Sequence, residues 1–407
     1  MRHEGDNMMG VKRANRSAVL RLLHEQGGMS RKRLSELMKL TPAAITKIVG
    51  ELIEEGLVRE GRLIPGGGAG RREVLIEPDE HCFFSLGLLI NLRQAILSAV
   101  WMDGSVIFSE ELVLPLNAPT EETVRSLTAR LLELCAENSL PTERSLGVGI
   151  AIRGICSADG RIVYNSFGAL DCVDHPLAEL VENLTGMRVV MANNVRALLA
   201  AHIFLSKDNG LRSQFFLRCE YGIGASLFIN DRIWLGGTNQ CSEIGHIPVI
   251  RRGGKPCSCG KSGCLETISS SVAIREDALA ILSPETTPIL WKTAQIRGRD
   301  KLLTEDVLDA ARKGDTGAAE VVDRAVSALA SALKSVIYVI DPEKIVLYGR
   351  LFENEYYLAR LMSEMREGVD ASHDIVIEKS VFNQMLENRA AGLLVTEDFI
   401  ENGGMRG

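Results

Sequence analysis

A chain of 407 residues is too long for one ordinary hydrophobic core, and a content of 46% hydrophobic and 24% charged residues excludes a disordered or fibrous protein. No basic start is joined to an apolar core and a cleavage site, and nine cysteines without regular spacing argue against a disulfide scaffold, so a cytoplasmic protein with no membrane insertion is expected. Charge is segregated: residues 1–75 carry 14 Lys/Arg against 9 Asp/Glu, a net of +5, while the remainder is net −12, and a basic head on an acidic body suits contact with a polyanion.

The head reads as three helices and a hairpin. Val11, Ala14, Ala18, Leu22 and Leu23 roughly follow helical spacing, and Gly27-Gly28 ends the run. Ser30 caps a short helix with Leu34, Leu37 and Met38 inward. Thr41 caps a third helix with Pro42 at its first position, Ile45, Ile48, Val49, Leu52 and Ile53 as its apolar stripe, and Gly56 at its end. The opposite face of this third helix is small and polar, as a helix entering a major groove requires. Two extended runs then flank a glycine-rich loop with Arg71 and Arg72, a plausible wing for phosphates or a minor groove. Ser30, Arg31, Thr41, Ala43, Ala44, Thr46, Lys47, Arg71 and Arg72 are the candidate DNA contacts. A three-helix module that binds protein is the bland alternative.

From residue 82 the texture changes. The apolar window CFFSLGLLINLRQAILSAVW is broken by Asn91, Arg93 and Gln94, which fits two strands and a turn better than a membrane span. FFSLGLLI, QAILSAVWM and GSVIFSEELVL predict a three-strand meander, followed by a helix over 120–138 and a buried strand, LGVGIAIRG. SQFFLRCE, GASLFIN and DRIWLGG repeat the theme before further helices, which suggests a duplicated α/β architecture with a cleft between lobes.

Three cysteines crowd into eight residues of GHIPVIRRGGKPCSCGKSGCLE, eleven positions after a histidine. His246, Cys257, Cys259 and Cys264 can close a tetrahedral zinc site, one Zn2+ per chain. Four protein ligands leave no open coordination position, so such a zinc is structural. Reduced cysteines in a loop, or a redox motif, are the other readings; a single residue between Cys257 and Cys259 disfavours the latter.

YGIGASLFINDRIWLGGTNQCSEIGHI, followed by PCSCGKSGCLE, resembles the signature region of the ROK family of sugar-responsive repressors, uncharacterised reading frames and sugar kinases. The likeness spans nearly the whole chain. LTPAAITKIVGELIEEGLV is similar to the recognition-helix region of the repressor branch. The family's histidine-to-cysteine gap is usually one residue shorter, which bears on the path of the loop. The resemblance implies an N-terminal winged helix-turn-helix on an α/β actin-like, hexokinase-like two-lobed domain. Expected boundaries are 1–75 for the DNA-binding head, 80–200 for a first lobe completed by a C-terminal helix at 386–402, and 201–385 for a second lobe with the zinc loop and dimerisation helices.

It also implies that Gly154, Asn165, Asn193, Asn194, Glu243, His246 and Glu266 bind sugar hydroxyls. Asn194 stands where the family's kinases use an aspartate as general base, and Ser85, Leu89 and Ile90 replace the phosphate-binding turn. The expected protein is therefore not an enzyme. It is a repressor of carbohydrate uptake and catabolism genes that binds double-stranded operator DNA as a homodimer or homotetramer and answers to a sugar or sugar phosphate. An active sugar kinase, or a repressor controlled mainly by a protein partner, is the alternative.

Overall fold

A computed structural model of the chain describes residues 8–64, 72–206, 211–230, 232–367 and 375–405. They form two compact units, Met1–Asn209 with Met385–Gly407, and Gly210–Gln384.

The first unit begins with α1 (Met8–Gln26), a two-residue β1 (Met29–Ser30), α2 (Arg31–Met38), α3 (Pro42–Glu54), β2 (Val58–Ile64) and β3 (Glu73–Pro78). Ser30 Oγ accepts the Arg33 N–H at 3.2 Å and Thr41 Oγ1 the Ala44 N–H at 3.3 Å, so both predicted caps form. α3 buries Ile45, Ile48, Val49 and Leu52, each contributing about 1.5–3 kcal/mol. β2 and β3 make the hairpin and β1 adds to β3, giving the order β1-β3-β2. α1 departs from the expected stripe. Val11 is 46% exposed and Ala14 is exposed, while Arg16, Val19, Leu20 and Leu23 are buried. These four follow i, i+3, i+4, i+7, with an arginine in one core position, so the apolar pattern by itself points to the wrong face.

β4 (Phe84–Ile90), β5 (Gln94–Trp101) and β6 (Val106–Val113) form the predicted meander. After α4 (Thr120–Glu137), β7 (Ser145–Ile152) joins β4 in parallel. β8 (Ile155–Cys156), β9 (Val163–Asn165) and β10 (Val173–His175) make a small side sheet, and α5 (Leu177–Thr185) leads to β11 (Val189–Asn193), parallel to β7, and α6 (Asn194–Ser206).

The second unit repeats this plan. β12 (Ser213–Cys219), β13 (Ile223–Ile229) and a two-residue β14 (Arg232–Ile233) form the meander. Next come α7 (Glu266–Ser269), α8 (Ser271–Ala280), α9 (Pro288–Arg297), α10 (Thr304–Arg312) and the long α11 (Thr316–Ile340). β15 (Lys344–Tyr348), α12 (Arg350–Glu353), α13 (Glu355–Arg366) and β16 (Val376–Lys379) complete it, with β15 and β16 parallel to β12 and to each other. The two sheets read β11-β7-β4-β5-β6 and β14-β13-β12-β15-β16, the same order once one is reversed. Each has an antiparallel meander on one side of its first strand and two parallel strands on the other.

The last helix, α14 (Glu387–Glu401), returns to the first unit and packs on β4, β5 and β7. The head lies in this same unit and forms no separate one. Arg21 donates to Glu397 and Glu401, both at 3.1 Å, and the His24 ring stacks on Phe204 of α6 with centroids 3.9 Å apart. Among the described residues no helix is long and apolar enough to cross a membrane.

Candidate functional site

The metal cluster is built on a loop that doubles back. Pro248 bridges to Cys264 and Pro256 to Ser262, so the cysteines lie along a distorted hairpin. Gly263 makes the crossing possible: φ is +75°, and a Cβ there would stand 2.1 Å from the Ile250 carbonyl oxygen. Asp277 of α8 ties the loop to the helices through ion pairs with Lys255 and with Arg324 of α11. One donor atom from each of His246, Cys257, Cys259 and Cys264 lies within 4.8 Å of all the others. Cys259 Sγ is 3.7 Å from Cys264 Sγ, and Cys257 Sγ is 3.5 Å from His246 Nδ1.

Two sulfurs held tetrahedrally about 2.3 Å from one ion would be about 3.8 Å apart, and a sulfur and an imidazole nitrogen about 3.5 Å apart. The spacing fits a four-coordinate metal. Burial and the neighbouring Cys259 and Cys257 sulfurs push the Cys264 thiol up to about 12, so the sulfurs alone resist becoming thiolates together. A bound cation reverses that preference. The four residues can hold a metal ion.

Two of the predicted site carboxylates flank this loop within the second unit. Glu243 precedes the single turn Ile244–His246, and Glu266 opens α7. Both segments meet the start of β13. Glu266 Oε2 accepts the Ile223 N–H at 2.9 Å, and Gly245 lies so close that a Cβ would be 2.1 Å from the Ile223 oxygen. His246 presents Nδ1 to the cluster, which puts Nε2 on the opposite edge of the ring.

The first unit gathers the others. A Cβ on Gly154 would be 2.0 Å from the Asn165 oxygen, and φ at Gly154 is +126°. Asn193 donates to the Gly154 carbonyl at 2.7 Å and accepts the Val195 N–H at 2.8 Å, which fixes its carboxamide at the start of α6. Asn165 is exposed and accepts the Phe167 N–H at 2.7 Å. Asn194 is 3% exposed and donates to Asn91 Oδ1 at 2.8 Å. Asn91 was legible in the sequence only as a polar break between strands; its buried amide is the partner that sequence reasoning missed.

The positions that differ from the kinase pattern are also placed. Ser85 is fully buried, its Oγ 2.9 Å from Thr396 Oγ1 of α14, and Leu89 and Ile90 belong to the buried strand β4. None of the three is an acid or carries a hydroxyl to solvent.

On the head, Thr41, Ala43, Thr46 and Lys47 form an exposed face of α3, with Ala44 half-buried beside them. Thr46 Oγ1 donates back to the Pro42 carbonyl at 2.8 Å. Arg31 donates to Glu60 at 2.8 Å, and Arg72 is exposed at the start of the returning wing strand. Ser30 differs from its companions: it is 4% exposed and committed to capping α2. Arg71 lies outside the described residues.

A winged-helix head, a five-stranded α/β lobe built twice and a Cys3His cluster define a class: a winged helix-turn-helix protein on an actin-like, hexokinase-like fold. The chain belongs to the ROK family, whose model matches residues 95–392, and residues 14–61 match the MarR family. It is 28% identical over 356 residues to the DNA-binding transcriptional dual regulator NagC of Escherichia coli K12, covering 86% of this chain and 83% of that one. It is 27% identical over 400 residues to the transcriptional repressor Mlc of the same organism, covering 97% and 95%. A crystal structure of a ROK family transcriptional regulator, a homolog of E. coli Mlc, superposes with a TM-score of 0.80 at 23% identity, covering 97% of each chain. A ROK glucokinase from Streptomyces griseus, in complex with glucose and AMPPNP, gives 0.63 at 21% identity, covering 78% of this chain and 98% of that one.

Proposed function

We propose that this protein is a sugar-responsive DNA-binding repressor of carbohydrate uptake and catabolism genes, with a structural zinc ion at His246, Cys257, Cys259 and Cys264. The observation that carries the reading is the union of two features in one chain: an exposed small-residue face on α3, and a kinase-type fold with Asn194 and Ser85 where the family's kinases use acids. Relatives that cover both parts are named as transcriptional regulators. A Cys3His set is the usual choice of zinc, and with no open position the ion shapes the loop and activates no water.

The residues proposed to meet sugar hydroxyls are, within the first unit, Gly154, Asn165, Asn193 and Asn194 and, within the second, Glu243, His246 and Glu266. Sugar hydroxyls both donate and accept, and amides, carboxylates and an imidazole offer the matching groups. His246 would serve the metal through Nδ1 and the sugar through Nε2. Asn194 cannot take up a hydroxyl proton, so no phosphoryl transfer from ATP is expected. Operator DNA would be read by α3 from paired half-sites, which calls for a homodimer or homotetramer.

The test uses the full chain and a duplex selected with it from a random-sequence library. N-acetylglucosamine, glucose, xylose and their phosphates are added one at a time. One of them should lower duplex affinity by roughly 5–150-fold, the span of an ordinary coupling of about 1–3 kcal/mol. Glu243→Ala should remove that response and leave sugar-free binding nearly unchanged. A sugar that strengthens binding would keep the site and overturn repression by default. If no carbohydrate acts, or the variant responds like the parent, control by a protein partner becomes the reading. ATP-dependent phosphorylation of any of these sugars would favour the kinase.

For the head, Lys47→Ala and Arg72→Ala should each weaken the duplex and reduce the slope of log affinity against log salt by about 1, if each meets one phosphate. A double variant with the parent's affinity and salt slope would remove both residues from the interface.

A further inference from the structure

Arg16 is the least expected core residue of the chain. It occupies the apolar stripe of α1 beside Val19, Leu20 and Leu23, and it is 1% exposed. Three residues from two segments share its guanidinium. Nη1 and Nη2 form a two-pronged pair with Glu55 at 2.8 and 2.5 Å, and Nη1 also reaches Glu51 at 3.3 Å. Glu51 lies in the last turn of α3 and Glu55 caps its end. The remaining donor, Nε, gives its proton to the Gly403 carbonyl at 2.7 Å.

Gly403 and Gly404 follow Asn402, the C-cap of α14, and they are buried rather than frayed. Both take the left-handed backbone, at φ +70° and +71°. A Cβ on Gly403 would stand 2.8 Å from the Arg13 carbonyl oxygen, and one on Gly404 2.6 Å from Leu57 Cδ1. Glycines let the tail lie this close against the head. Arg13 donates to Asn402 at 3.2 Å, and Arg21 holds Glu397 and Glu401 farther back along α14. The body of α14 lies against β4, β5 and β7.

An apolar residue at position 16 would fill the stripe as the other three do. A planar fork of five donors adds a junction between elements: it joins the end of α3 to the end of α14, where a lysine could satisfy only part of the set. We propose that Arg16 is a positioning residue for DNA reading, with the Gly403–Gly404 turn as its second anchor. The angle of the reading helix α3 is then inherited from α14, the helix that lies on the sheet of the first lobe. This rests on the reading of the head as a DNA-binding module.

The test uses full-length protein with Trp234→Phe and Trp291→Phe, leaving Trp101 on β5 as the one tryptophan. Its fluorescence then follows unfolding of the sheet beneath α14. In this background the selected duplex should raise the Trp101 unfolding midpoint, because a ligand stabilises whatever unfolds together with its site. A chain ending at Asn402 should bind the duplex more weakly than the parent and, at saturating duplex, lose that rise. Arg16→Met should weaken the duplex at least about fivefold, the lower end of ordinary coupling between sites, with the DNA-free midpoint of Trp101 unchanged. Arg16→Lys should recover part of the affinity, which a purely space-filling role would not produce. The proposal is overturned if the parent binds the duplex with no rise, if the shortened chain keeps the full rise, or if Arg16→Met binds like the parent. A parent that binds no duplex at all overturns the DNA-binding reading instead.

Discussion

Changing Cys259 to serine should release the metal and lower the unfolding temperature of the second unit by on the order of 10 °C. Serine oxygen is a poor substitute for a thiolate on a soft-to-borderline ion, so a Cys3His site loses affinity when one sulfur is replaced. Metal-binding free energy is folding free energy for the segment it closes. Here that segment runs from His246 to Cys264 and carries Glu243 and Glu266 at its ends. A loss of about 3 kcal/mol corresponds to roughly 10 °C in a unit of this size. Metal analysis should find about one zinc per chain in the parent and far less in the variant, and fluorescence of Trp234 and Trp291 reports the unfolding. Parent protein never exposed to chelator, yet free of metal, would end the zinc assignment.

Gly149→Val should disrupt the first unit more severely than any surface change. Gly149 lies on β7 directly beneath α14, where a Cβ would be 1.7 Å from the Ala391 carbonyl oxygen and 2.6 Å from its carbon. These are backbone atoms of a helix packed on three strands, so no rotamer change relieves the clash. Gly87 and Gly392 make the same close approach, with Gly392 N 2.8 Å from a Cβ at Gly87. Either α14 lifts from the sheet or β7 moves, and a cost of at least about 3 kcal/mol is expected. Denaturant unfolding followed through Trp101 measures it. A variant with the parent's midpoint and slope would show that the helix is free to move at this contact.

The second prediction and the Arg16 junction share an element: α14 packs on the sheet of the first lobe and its end meets the head. Little of this was legible from residue patterns. α14 could be expected as a helix over 386–402, and it forms over Glu387–Glu401. Its partners come from strands more than about 230 residues earlier, and no local periodicity names them. Arg16 was hidden for a related reason. A charged residue in a helix reads as solvated until its counter-charges are known, and Glu51, Glu55 and Gly403 come from elsewhere in the chain.

Local chemistry, by contrast, was readable. Ser30, Thr41 and Pro42 mark helix starts because caps and proline act within three or four residues. The meanders were visible as alternating or continuous apolar runs, except that DRIWLGG supplies only the two paired residues Arg232–Ile233. The candidate metal ligands were visible because three of the four lie in eight residues, and a cluster of thiols has few other purposes.

The sequence by itself therefore determined the helix caps of the head, the meander strands of both sheets with β7, the candidate metal donors and the family, all of which depend on chemistry confined to short segments, whereas β11, β15 and β16 were not anticipated. Only the tertiary structure decided that Arg16 is a buried junction, that Asn194 pairs with Asn91 across 103 residues, and that the head shares one compact unit with the first lobe. The physical reason is that burial and hydrogen-bond satisfaction are properties of which segments meet. A polar side chain keeps the same local pattern whether it faces water or a partner hundreds of residues away.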